Sequence, residues 1–338
     1  MANVQKYFEE FHYRIRVDYE MSETLREKRD IILTRLQDHL LKNGRPSFRE
    51  ILQGSYKMKT GSKPIAELEY DIDVGLRFSF TEDDYDARTV RQWVFEAVDG
   101  HTEKVEDRGP CIRVTYKKDG KHKYHVDLVV YANWKDDFGN EQFRLAHKDN
   151  GWRPASPIEL IEHVKNKREP FKGTEDNLSQ NDQFRRVVRY QRRWIDEEIP
   201  IESSAKPTGL AFVLLSIERL RPTTTWIGKS DDLSALENLA ISTANQIGRI
   251  TADKPTPEYE DMFARLTDDE MTALKERYRV MSEALKAARE EPKPEAACKI
   301  LQKIFGSDFP VPEPEDTAKK TSSPAIVPSS SSGNGEEY

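Results

Sequence analysis

Apolar positions along this chain recur at two different periods. From about Val4 to Lys42 the spacing predicts helix, with Leu25, Ile32, Leu36 and Leu40 on one face and Arg, Lys, Asp and Glu between them. Asn43-Gly44 is a helix stop. A short apolar segment (Phe48, Ile51, Leu52) then leads into Gln53-Gly54-Ser55. The period drops to two over Glu69–Phe78, EYDIDVGLRF, which predicts a strand with Asp71 and Asp73 on one face and Ile72 and Val74 on the other. Residues 85–98 return to helical spacing through Val90, Trp93, Val94 and Val98. Ile112, Val114 and Tyr116 alternate again, Asp119-Gly120 is a type I′ turn signal, and Tyr124–Tyr131 forms the return strand of a hairpin. On that strand Asp127 shares a face with His125 and Val129.

Past residue 150 the pattern is helical. Phe184 to Trp194, FRRVVRYQRRW, predicts a basic amphipathic helix, and Thr208 to Leu220 a buried one. Leu233–Ile250 and Asp268–Arg289 predict two more. Beyond Phe309, proline, serine and charged residues dominate, and such a segment buries too little apolar surface to offset its ordering entropy. The pattern therefore predicts an α+β, two-lobe protein. Residues 1–150 form a lobe with a small mixed sheet and a long N-terminal helix, 151–309 a helical lobe, and 310–338 a disordered tail.

Composition narrows the function. The 338 residues carry a net charge of -7, whereas a chain built to grip duplex DNA is usually basic overall. Two cysteines, Cys111 and Cys298, lie far apart and outside any Cys/His cluster, which argues against structural zinc and for a reducing compartment. No apolar run approaches a membrane span, and the first residues lack a signal-peptide apolar core. The expectation is a soluble cytoplasmic protein.

The chemistry lies in the acidic strand positions. Two aspartates at i and i+2 on a strand point the same way, and a third on a neighbouring strand can join them. Asp71, Asp73 and Asp127 would then hold hard divalent cations of the magnesium type, which carry triphosphates and lower the pKa of an attacking hydroxyl. Gly54-Ser55, at a helix start, lets backbone N–H groups and a hydroxyl reach phosphate, with Lys57 and Lys59 nearby. A lone DxD or a lone GS is weak. The ordered conjunction of GS, a DxD strand between apolar residues, and a hairpin whose return strand reads V-D-L-V-V is specific. Against it stand plainer readings of other residues. Trp93, Trp134, Trp152, Trp194 and Trp226 read as core more than as base-stacking platforms, His125 as structural, and the cysteines as ordinary core or surface residues.

QGSY at 53–56, DIDVGL at 71–76 and HVDLVV at 125–130 resemble the DNA polymerase β-like nucleotidyltransferases. More narrowly they resemble the bacterial CD-NTases, relatives of the animal cyclic GMP-AMP synthase and of oligoadenylate synthase. The resemblance implies a synthase of cyclic di- or trinucleotide messengers in anti-phage signalling. It implies that Asp71, Asp73 and Asp127 are catalytic and hold two magnesium ions, with manganese able to substitute, and that Gln53, Gly54 and Ser55 bind nucleotide. By order and spacing, Arg189 matches a basic phosphate-binding residue on a helix of the second lobe. Thr208 matches a Ser or Thr at the start of the next helix. The family more often has Lys at the Arg189 position, and that exchange is not neutral at a phosphate site. On this reading Arg189 turns inward while Arg185, Arg186, Arg192 and Arg193 are solvated. The zinc insertion of the animal DNA sensor has no counterpart, so zinc-mediated DNA binding is not implied. The implied partners are ATP, GTP or other NTPs, a downstream effector reached through the product, and ancillary or ubiquitin-like conjugation proteins acting on the tail; no membrane is implied. Two rivals remain: a nucleotidyltransferase that modifies RNA or protein, and a non-catalytic nucleotide sensor, against which the intact acidic set weighs.

Overall fold

The computed structural model describes residues 3–17, 23–63, 65, 70–118, 121–200 and 203–313. The first lobe is built from α2 (Glu23–Lys42), β1 (Phe48–Leu52), the one-turn α3 (Gly54–Met58), β2 (Tyr70–Phe78), α4 (Ala87–Val98), β3 (Lys104–Asp107), β4 (Ile112–Lys118), β5 (Lys121–Lys135), β6 (Glu141–His147) and β7 (Gly151–Pro154). The strands make a mixed sheet in the order β1-β2-β5-β4-β3, with β6 and β7 continuing from the far end of β5. Among the described strands only β2 and β5 run parallel.

Alternation along β2 and β5 gives the sheet two unlike faces. Ile72, Val74, Leu76, Val126, Leu128 and Val130 are buried against Ile32, Leu36 and Leu40 of α2 and Val90 and Val94 of α4. The other face carries Asp71, Asp73, His125, Asp127, Val129 and Tyr131. Asp86 starts α4 by accepting the N–H groups of Arg88 and Thr89 at its side chain.

The β4–β5 hairpin contains a register shift between Tyr116 and Lys117. Its turn, at Asp119-Gly120, lies outside the described residues. Lys118 pairs with Lys121, and from that register Arg113 would face Val126; the bulge moves it opposite Asp127 instead. Without this shift every apolar position of β4 would oppose a polar position of β5, because a one-residue slip flips faces.

The second lobe contains α5 (Pro157–Lys167), a 3-10 turn at Glu169–Phe171, α6 (Gln183–Glu198), α7 (Gly209–Arg219), α8 (Asp232–Ala244), α9 (Asp268–Glu290) and α10 (Pro294–Phe305). Its core also takes in α1 (Gln5–Ile15), through Tyr7, Phe8, Phe11 and Ile15. The continuous helix expected from Val4 to Lys42 is therefore broken. α1 ends at Arg16, which is extended and bridges to Ser62; residues 18–22 lie outside the description, and α2 serves the other lobe. Phe309 and Pro310 are buried and Val311 packs on the same core, so chain assigned to the tail is still structured there; residues 314–338 are not described.

The arginine run on α6 departs most from expectation. Arg186 and Arg193, expected to be solvated, are buried, as is Arg189, which was expected to turn inward. Arg186 forks onto Asp232, Nε to Oδ2 at 2.7 Å and Nη2 to Oδ1 at 2.7 Å, and also donates to the Thr174 and Asn181 carbonyls. Arg193 donates to the Lys63 carbonyl and pairs with Asp308 at 3.0 Å. A helix this basic is buried because carboxylates and carbonyls from other elements meet its charges. Among the described residues no helix is long and apolar enough to cross a membrane. Because Arg186 and Asp232 are both fully buried, Arg186→Ala should destabilise the protein by ~3–5 kcal/mol, by leaving an uncompensated charge. Urea unfolding monitored by circular dichroism checks this.

Candidate active site

The acidic sheet face looks across at α5, α6 and α7, and a cleft of about 400 Å³ lies between them. Gln53, Gly54, Ser55, Asp71, Asp73 and Asp127 line it from the sheet side, and Arg192, Gly209, Leu210 and Val213 from the helical side. Parallel pairing sets Asp73 directly beside Asp127 and Asp71 beside His125. All three expected carboxylates therefore reach one cleft.

The arrangement is electrostatically tense. Burial, and the charges of Asp127 and Asp71, push the Asp73 carboxyl up to about 7. Asp127 has found a counter-charge: Arg113 forks onto it, Nε to Oδ1 at 2.7 Å and Nη2 to Oδ2 at 2.6 Å. Asp71 stands at the cleft mouth with half its side chain exposed, its Oδ1 3.9 Å from His125 Nε2. In this conformation no group of three or more acidic, His or Cys side chains closes around a single metal position among the described residues, and Arg113 holds both oxygens of Asp127. The donor chemistry nonetheless fits a hard divalent cation: carboxylate oxygens are the ligands such ions take, and the raised Asp73 marks negative charge that a cation would relieve.

Gly54 is required twice over. Its φ is +61°, in the left-handed region, and a Cβ there would lie 1.9 Å from Asp73 Oδ2. The bare backbone lets the Gln53–Ser55 turn press against the carboxylate. Gln53 is fixed from behind, its Oε1 accepting from the Tyr131 hydroxyl at 3.1 Å. Lys57 and Lys59 are exposed and do not line the cleft.

The second-lobe expectations need revision. Arg189 does not line the cleft. Its guanidinium is buried and donates to the carbonyls of Gly61 at 2.8 Å and Lys59 at 2.6 Å, to Asn181 Oδ1, and onto His12 Nε2. Burial and the neighbouring arginines hold His12 well below its usual range, so its ring is a neutral acceptor. Arg192, three residues on, lines the cleft instead, with Nη1 on the Thr60 carbonyl and its guanidinium where a Cβ at Gly209 would come within 3.1 Å. Thr208 caps α7, its Oγ1 accepting from the Ala211 N–H at 3.3 Å; it is exposed, and Gly209 is the residue that meets the cleft.

Sequence reasoning missed Arg113 and took Arg192 as solvated. The conflict of apolar faces in the hairpin was the available signal for Arg113. Cys111 lines the cleft with its thiol pushed up to about 12 by burial and by Asp127, which makes it inert as a nucleophile. His125 is structural as expected: Thr115 bonds its Nδ1 at 3.1 Å, and burial with Arg113 lowers it to about 4. Among the tryptophans, Trp194 is core, but Trp226 is 96% exposed on a loop away from the cleft.

Comparison with known proteins agrees with this geometry. Residues 46–131, which contain every sheet-side residue of the cleft named above, match the family model for the nucleotidyltransferase domain of cyclic GMP-AMP synthase DncV-like proteins. The fold is that of solved nucleotidyltransferases of this kind. The crystal structure of Vibrio cholerae DncV cyclic AMP-GMP synthase superposes with a TM-score of 0.72 at 16% identity, covering 92% of this chain and 98% of that one. The same enzyme in complex with the linear intermediate 5′ pppA(3′,5′)pG gives 0.70 at 15% identity, over 90% and 96%. Escherichia coli DncV in its 3′-deoxy GTP bound form gives 0.68 at 15% identity, over 88% and 93%. Sequence over residues 46–131 and fold over nearly the whole chain are thus both similar to DncV-like nucleotidyltransferases.

Two outcomes test the site. Gly54→Ala should displace Asp73 and lower NTP-dependent turnover by about 100-fold, since roughly an ångström of misplacement has that effect, while far-ultraviolet circular dichroism stays unchanged. Asp73→Asn should stabilise the metal-free protein by an amount that grows as pH rises. A carboxyl raised to about 7 binds its proton more tightly folded than unfolded, so its ionisation disfavours the fold between its unfolded value and about 7. The gain in melting temperature should therefore increase from pH 4 to 7 and level off above.

Proposed function

We propose that this chain is a divalent-metal-dependent nucleotidyltransferase that joins nucleoside triphosphates into a cyclic di- or trinucleotide. The observation that carries the reading is the parallel pairing of Asp73 with Asp127 beneath the Gly54 turn, in a cleft with an arginine on its far wall. The turn at Gln53–Ser55 would hold the triphosphate from the sheet side, and Arg192 would meet its charge from the helical side. Two magnesium ions bound by Asp71, Asp73 and Asp127, with manganese as substitute, would neutralise the triphosphate and acidify the attacking hydroxyl. Asp127, once released by Arg113, would take the hydroxyl proton. The ribose oxygen then bonds to the α-phosphorus, and the bond to pyrophosphate breaks. A second transfer in the same cleft, using the hydroxyl left on the linear product, closes the ring. The Vibrio cholerae relative, solved with a linear pppApG intermediate, supports this order of events.

The family likeness further supports a cyclic product that acts on a downstream effector in anti-phage signalling within the cytoplasm. Conjugation partners would act at the C-terminal segment.

The test is to incubate the purified protein with the four labelled NTPs and magnesium, then treat with phosphatase. A phosphatase-resistant product should form, and Asp127→Ala should reduce it by about 100- to 10,000-fold, the range for loss of a general base. Label appearing only on RNA or protein would transfer the chain to a macromolecule-modifying class. NTP binding without turnover under any divalent metal would make it a sensor.

A further inference from the structure

The helical lobe carries a second surface, away from the aspartates. Between α7 and α8 the chain makes a small hairpin: Thr224 bridges to Ser230, the Thr225 N–H bonds the Lys229 carbonyl at 2.7 Å, and Gly228 turns at φ +77°. The base of the hairpin is anchored. Ser230 Oγ donates to the Thr174 carbonyl at 2.9 Å, and the Asp232 N–H to Gln5 Oε1 at 2.8 Å. Its tip holds Trp226 and Ile227, exposed to 96% and 55%. Beside the hairpin is a hollow of about 550 Å³, lined by Lys229, by Lys6 and Glu9 of α1, and by Glu175 and Asn177. Leu178, next along that loop, is also exposed. None of these residues lines the aspartate cleft. A solitary exposed apolar side chain is ordinary, but two at the tip of an anchored turn, beside a hollow, mark a docking surface.

The chain itself leads to this surface. After α10 the backbone turns at Gly306 and runs back along α1. Arg14, in the last turn of α1, donates to the Asp308 carbonyl at 3.3 Å, and the Phe309 ring then lies 5.1 Å from Phe11 and 5.3 Å from Phe8. Val311 packs on the same core. The path thus heads for the N-terminal end of α1, where Lys6 and Glu9 enter the hollow. We propose that residues 324–328, Pro-Ala-Ile-Val-Pro, dock against Trp226 and Ile227 of the same chain.

Sequence chemistry favours this occupant. Ala325, Ile326 and Val327 are the one run of consecutive apolar side chains in residues 314–338, apart from the flanking prolines. Those prolines restrict the backbone to extended conformations and present flat apolar rings of the kind that aromatic surfaces bind. The charges match in kind: Glu315 and Asp316 precede Lys319 and Lys320, and the hollow offers Lys6 and Lys229 together with Glu9 and Glu175. Length suffices too. From Glu313 to Pro324 the chain can span up to about 36 Å at 3.3 Å per residue, whereas α1, with 11 residues, is about 16 Å long.

The experiment labels the full chain with 5-fluorotryptophan and reads fluorine NMR. The Trp226 resonance is assigned by its loss in Trp226→Phe. In the double variant Ile326→Asp/Val327→Asp that resonance should move to the position of a solvated indole, while the other tryptophans and the melting transition stay as in wild type. A fluorescein-labelled peptide of residues 320–332, followed by anisotropy, should bind the double variant about 10-fold more tightly than wild type, whose own segment competes at an effective concentration on the order of 1 mM. Adding Trp226→Ala to the double variant should weaken the peptide by about 10-fold or more. A Trp226 resonance that the double substitution leaves in place would overturn the proposal. So would a shift that disappears on dilution together with a dimer in sedimentation, which would give the surface to a second copy of the chain.

Discussion

The molecule is organised around a repulsion that its strands do not allow to relax. Parallel pairing of β2 with β5 puts Asp73 beside Asp127; Asp127 is buried and Asp73 half-buried, and charges so placed interact more strongly than in water. Two devices make this tolerable without a metal. Arg113 neutralises Asp127 through two short hydrogen bonds, and Asp73 holds its proton up to about pH 7. The same crowding explains why the turn at residue 54 is a glycine: a side chain there would occupy the space of the Asp73 carboxylate.

The lobes are joined through the segment that follows this turn. Arg189, Arg192 and Arg193 of α6 donate to the carbonyls of residues 59–61 and 63, one after another. Residues 61 and 63 also exchange backbone hydrogen bonds with Val17 and Ile15 at the end of α1. The cleft-lining turn at Gln53–Ser55 is thereby tied to the core of the helical lobe by groups already committed to backbone acceptors. This is the physical reason that Arg189 is structural. Four of its N–H donors lie on two carbonyls, the Asn181 amide oxygen and His12, while Arg192, three residues on, lines the cleft.

Much of this was legible in the chain. Period-two alternation placed Asp71 and Asp73 on one face of a strand and Asp127 on another, and the apolar partners of that alternation became the buried layer over α2 and α4. The α+β class and the succession of sheet lobe and helical lobe followed from where the period changes. These are local properties, set by how successive side chains point along a strand or helix.

Tertiary structure alone decided the rest, because it turns on what lies opposite. The break after Ile15 follows from α1 finding its apolar partners, Phe305 and Tyr190, in the far lobe. Which arginine of α6 meets the cleft is a matter of helix rotation against the neighbouring lobe, to which a basic sequence is indifferent. The Arg113–Asp127 pair needed the bulge. Side-chain direction along one element is written in the order of residues; the partner that each side chain meets is settled only when separate elements pack and their charges must be satisfied together.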